Sequence, residues 1–246
     1  MLLQGELFRP MEEAFRSGTL LMGDEARRAG EALSVSWGDI PLNWGLVIAS
    51  ALALAFSIPS LYRIIPHIFK CFSRWRWNLT IEASLQLART RDSIALLSIV
   101  PFCLIVSRFR LFDPAFFGRV PETWRTLAVI GVFLAWYLIR SLLYLAAEAR
   151  ASHLSTFQTA RHAERNYFVI LTFFLFAVVG VLYAFRAAEE TIRIVLFVTM
   201  GLVYLVFLVR KFQILSSSFS PLSTFLYLCA LEFLPLGMLV AAGLCL

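Results

Sequence analysis

A glutamate, Glu232, stands in the middle of an apolar run, Phe225-Leu-Tyr-Leu-Cys-Ala-Leu-Glu-Phe-Leu-Pro-Leu236. An ionisable side chain at bilayer depth costs roughly 2.5 kcal/mol or more, so it faces a partner, a cavity or a proton path rather than lipid. Pro235 lies three residues on and has no amide hydrogen, which leaves the carbonyl of Leu231 without its helical partner. A carboxyl group and a loosened backbone therefore coincide. Two kinds of chemistry fit: a proton-carrying or cation-coordinating site, or a protonated carboxyl hydrogen-bonded to a neighbouring helix. The candidate partner is Arg140, the one basic residue inside another long apolar stretch, Thr126 to Ala147. The alternative for Arg140 is that its long side chain reaches back to the headgroups.

Other candidates read more plainly. Arg210 and Lys211 close an apolar stretch and read as interfacial anchors. In Lys70-Cys-Phe-Ser-Arg-Trp-Arg-Trp77, the cations Arg74 and Arg76 alternate with Trp75 and Trp77. Beside a membrane span that pattern anchors to lipid headgroups, and we expect no nucleic-acid partner. His67, His153 and His162 form no metal-ligand spacing, and Cys71, Cys103, Cys229 and Cys245 contain no C-x-x-C pair. No metal site or cofactor is expected, and the cysteines read as small apolar fillers. No nucleophile-elbow or phosphate-loop sequence is present, so the chain does not read as an enzyme. Asp113 and Glu122, with Arg108, Arg110, Arg119 and Arg125, read as a solvated loop or a small charged cap.

The elements that must position these residues follow from composition. The 246 residues are 60% hydrophobic and 15% charged, against about 45–50% and 25% in soluble domains. That excess requires a hydrophobic solvent. Six spans are expected, at about 42–61, 93–107, 126–147, 167–185, 192–209 and 222–246. The second is short and interrupted by Pro101. Apolar runs of this length form helices, whereas a membrane barrel would show strands of about 10 alternating residues. The fold class is an all-α, polytopic transmembrane helix bundle, preceded by a polar, acidic region over 1–41 with short amphipathic helices. That region does not read as a cleavable signal peptide. Segments 62–92, 148–166 and 210–220 carry eleven Lys or Arg and four Asp or Glu, against ten and eleven on the opposite side. The positive-inside rule thus leans narrowly towards both termini outside the cytoplasm.

The C-terminal third resembles a family of multi-pass inner-membrane proteins of Bacteroidota described as domain of unknown function 4271. The resemblance rests on Leu205-Val-Phe-Leu-Val-Arg-Lys-Phe212 followed by the run from Phe225 to Leu236. Weaker similarity covers Trp136-Tyr-Leu-Ile-Arg-Ser-Leu-Leu-Tyr144. It implies a bacterial cytoplasmic membrane and a helical bundle, implies no activity, and favours Tyr227, Glu232, Pro235 and Arg140 as residues to test. The function expected is a non-catalytic subunit or scaffold of a cell-envelope assembly for secretion, motility or envelope biogenesis. Its partners would be the lipid bilayer and another membrane protein or a second copy. The alternative is a proton-coupled transporter or channel component using the Glu232–Arg140 pair.

Overall fold

The computed structural model describes residues 37–148 and 154–245. The amphipathic helices expected before residue 37 lie outside the described residues. The chain divides into two units, Met1–Ile40 and Pro41–Leu246. Of the first, the described part is a single 3-10 turn, Trp37–Asp39.

The second unit is an all-α helical bundle, with no strand among the described residues. In chain order its helices are α1 (Pro41–Phe56), α2 (Ile58–Ser73), α3 (Arg76–Ala83), α4 (Leu85–Leu97), α5 (Ile99–Arg108), α6 (Glu122–Glu148), α7 (Leu154–Ala184) and α8 (Glu189–Ser216). Then come α9 (Pro221–Leu228), a single π-helical turn (Cys229–Phe233) and α10 (Leu234–Cys245). Five helices are long and apolar enough to cross a membrane, six if the bent pair α1–α2 counts as one span. The chain is thus a multi-pass membrane protein in its architecture. Its outward faces agree: Leu138, Ile139, Leu142 and Leu145 on α6, and Ile194, Val198, Leu202 and Leu205 on α8, are all exposed. In water such rows would be a liability, and against hydrocarbon they are the expected surface.

Four spans depart from the expected boundaries: α7 starts earlier and α8 ends later than expected, and the first two spans are broken. The first breaks at Ser57, where α1 and α2 meet at 75°. Pro59 cannot continue the backbone ladder, and the Ser57 hydroxyl donates to the Ala53 carbonyl at 2.8 Å, a combination that bends helices. The second span begins at Leu85 rather than Ser93 and ends at Arg108, with Ser98 and Pro101 at the joint between α4 and α5. It is also more enclosed than the four spans that follow it. Its opening turns carry Arg89, Arg91 and Asp92, and this charge made them read as a surface helix ahead of the span rather than as its beginning.

Helix α7 is the centre of the unit, packing on α2, α3, α4, α5, α6 and α8. It contributes Phe157, Ala160, Ala163, Tyr167 and Ile170 to one apolar cluster and Leu175 to a second. The connectivity puts the C-terminal ends of α6 and α8 and the N-terminal ends of α4, α7 and α9 on one side, called here the near side. The far side carries the α5–α6 and α7–α8 connections. There Arg125 bonds Asp113 and meets Glu122 at 2.9 Å, while Arg108 meets Glu189 at 2.5 Å. Of the two readings of that loop, the charged cap is the one this geometry matches.

Candidate functional site: a buried ionic cluster beside a cavity

On α6, Trp136, Arg140 and Tyr144 are spaced four apart and share one face. That face meets the π turn of the last span. Pro235 withholds its amide hydrogen, and the Leu234 amide donates to the carbonyl of Cys229, five residues back. The widened turn carries Glu232, which is 2% exposed. Single π turns of this kind recur at functional sites. One carboxylate oxygen of Glu232 accepts from the Arg140 guanidinium. The other accepts from the Tyr144 hydroxyl at 2.5 Å and from the Lys211 ammonium. Arg140 also meets Glu164 of α7 at 2.7 Å. Lys211 lies over the Tyr144 and Phe207 rings at 4.5 and 5.1 Å, and Arg140 over the Trp136 ring at 5.0 Å.

The result is two cations and two carboxylates joining α6, α7, α8 and the last span. At 1.5 Å per residue, the four groups lie roughly 8–16 Å along their helices from the near-side ends. Breaking a buried pair by removing one partner leaves an uncompensated ion and costs about 3–5 kcal/mol, so the balance of two against two matters more than any single bond.

The structure brings together two of the sequence candidates, Arg140 and Glu232, and adds three residues not singled out as partners. Lys211 is the main correction. Rather than anchoring at the interface it is 1% exposed, because α8 continues to Ser216 and carries Lys211 inward of its own end. The apolar Phe212, Ile214 and Leu215 beyond it are the sequence signal for that extension. Arg210, its neighbour, instead donates to the Ser73 and Phe72 carbonyls at 2.7 and 3.3 Å and caps α2. Glu164 lay in an expected loop that is in fact the first third of α7. Tyr144 carried no signal beyond its spacing from Arg140.

Tyr227 stands apart from the cluster. Its ring packs on Phe157 and Phe219 at 5.8 and 5.5 Å. Pro235 is buried beside the π turn. Arg74 and Arg76 are exposed at the junction of α2 and α3, with Trp75 and Trp77 half-buried between them. Lys70 lies over the Trp77 ring at 4.7 Å and Arg76 over Trp75 at 5.7 Å. This position suits the interfacial role expected from their sequence.

A second ionic network lies alongside. Arg91, 1% exposed, bonds Glu82 and meets Asp92 at 2.7 Å. Asp92 meets Arg165 at 2.5 Å, and the His162 Nδ1 lies 2.9 Å from Glu82. Asn166 donates to Asn78 at 2.7 Å, and the Tyr167 hydroxyl to the Cys71 carbonyl at 3.0 Å. Glu82 stands on α3, outside the spans. Burial pushes its carboxyl up, but the bonds from His162 and Arg91 outweigh burial and hold it below the ordinary carboxylate value.

Between the two networks is a cavity of about 350 Å³. Asp92, Arg140, Glu164 and Arg165 line its charged part, and its other walls include Phe102, Phe133, Phe168 and Leu171. A polar crevice of about 20 Å³ is lined by Arg140, Arg161, Glu164 and Arg165. Among the described residues, no group of three or more His, Cys, Asp or Glu is placed to hold a metal ion. No family model, curated protein or solved structure matches this chain.

Proposed function

We propose that the chain is a non-catalytic subunit or scaffold of a cell-envelope assembly in a bacterial cytoplasmic membrane. The observation that carries this reading is the saturation of Glu232, whose two oxygens accept from Arg140, Tyr144 and Lys211. A carboxylate held by three donors on two helices fastens a bundle, whereas a carrier's carboxylate must exchange partners during each cycle. The small residues Gly237 and Ala241 in the last span suit close packing against another helix. The resemblance of the C-terminal third to an inner-membrane family supports the location. The narrow excess of Lys and Arg in 62–92, 148–166 and 210–220 supports a cytoplasmic near side, with both termini outside the cytoplasm.

The test is affinity purification from native membranes in mild detergent, with mass spectrometry of the co-purifying proteins. A stoichiometric membrane-protein partner is expected. A lone chain or homo-oligomer, together with proton flux that Glu232→Gln abolishes, would overturn the scaffold reading. A proton-coupled carrier is the second reading, and one observation favours it. The 20 Å³ crevice lined by Arg161 and Glu164 is large enough for about one water and lies against Arg140 and Tyr144 of the cluster.

A further inference from the structure

The 350 Å³ cavity combines features that the ionic cluster alone does not require. Among the described residues, three buried donors have no hydrogen-bond partner and belong to side chains that line it: Trp136 Nε1, Arg140 Nε and the Tyr204 hydroxyl. Arg140 is 4% exposed. A buried polar group without a partner costs about 1–3 kcal/mol, so three around one space call for an acceptor within it. The charged groups of the lining are already matched. Arg140 pairs with Glu164 and Arg165 with Asp92, two cations with two carboxylates, so no surplus positive charge remains for an anion. The other walls are aromatic and aliphatic, with Phe102 against Phe133 and Phe168 at 5.3 Å each. The volume falls in the range of small-molecule sites, about 300–1,000 Å³.

We propose that this cavity binds a neutral amphipathic molecule whose carbonyl-type oxygens accept from Trp136, Arg140 and Tyr204, and whose hydrocarbon body lies among Phe102, Phe133 and Phe168. Two sources supply that chemistry, a quinone ring with an apolar tail and an acyl ester of glycerol. The proposal goes beyond the scaffold reading and stands whether or not an assembly partner is found.

Trp136 is a built-in reporter. The full chain is reconstituted in nanodiscs and titrated with decylubiquinone, with a dibromostearoyl monoglyceride, and with dibromostearate as the anionic counterpart. Each quenches tryptophan on contact, and Trp136→Phe identifies the share due to that residue. Saturable, Trp136-dependent quenching by one neutral probe is expected, and the probe that saturates distinguishes quinone from acyl ester. Tyr204→Phe, with Trp136 intact, should weaken that binding about five-fold with unchanged circular dichroism, the effect of about one lost hydrogen bond. Ala95→Phe, which adds a ring to the cavity wall, should abolish saturation. Quenching that rises without saturation and is equal in wild type, Tyr204→Phe and Ala95→Phe would mean partition into the bilayer and would overturn the proposal. Tighter binding of dibromostearate than of either neutral probe would overturn it as well.

Discussion

At the scale of single residues, the cluster is governed by counting charges. Glu232 faces Arg140 and Lys211, and Arg140 in turn faces Glu164, so each ion has an opposite neighbour. The sequence showed half of this. A carboxylate and an arginine inside apolar runs are conspicuous, because nothing else of their kind surrounds them. Lys211 and Glu164 were hidden by position: each sits near the end of an apolar stretch, where a charge ordinarily reaches water. Only the true lengths of α7 and α8 reveal them as buried. The neighbouring network gives a prediction in pH. Glu82 is held below the ordinary carboxylate value, so its contribution to stability is full above that value, near 4.5, and is lost as pH falls through the lower folded value. Thermal unfolding of wild type and Glu82→Gln from pH 7 down to about pH 2.5 should show a gap that narrows on acidification below the ordinary carboxylate value. A gap that widens would contradict the assignment.

At the scale of elements, breaks in the helices do the positioning. Pro235 creates the π turn that carries Glu232, and Ser57 with Pro59 creates the 75° bend between α1 and α2. Pro235 was legible in the sequence as a disruption, whereas Pro59 lay near the expected end of the first span. The form each disruption takes depends on packing against other helices, so a π turn and a bend could not be told apart beforehand. The early start of α4 was missed for a related reason. Arg91 and Asp92 lower its apolar character, and their partners Glu82 and Arg165 come from other helices. Arg210 gives the element-scale prediction. Its bonds to the last carbonyls of α2 satisfy groups left open by the helix end, and charge-assisted bonds of this kind contribute about 1–2 kcal/mol. Arg210→Ala should lower unfolding stability by that amount in detergent. An unchanged melting temperature would show that the contact is incidental.

At the scale of the whole molecule, the all-α class and the membrane architecture were both legible from composition, since apolar runs of this length have few alternatives. The crowding of polar groups towards the near side was not, because it arises from residues far apart in the chain. Side of the membrane is a matter of topology that accessibility measures directly. In a variant lacking the native cysteines, Ser217→Cys on the near side should resist an impermeant maleimide in intact cells, while Ala187→Cys on the far side should react. The reverse pattern would invert the proposed orientation, and equal reactivity would contradict the topology itself.

The central claim is that a balanced buried cluster fastens the bundle, and a double-mutant cycle on Lys211 and Glu232 tests it most directly. Unfolding free energies would be measured in one detergent for wild type, Lys211→Gln, Glu232→Gln and the double variant. Glu232→Gln leaves Arg140 and Lys211 with a single carboxylate between them and should cost about 3–5 kcal/mol. The double variant retains the Arg140–Glu164 pair and restores the balance, so it should be more stable than Glu232→Gln alone, with a coupling of about 2 kcal/mol or more. Additive losses, leaving the double variant less stable than either single change, would contradict the account.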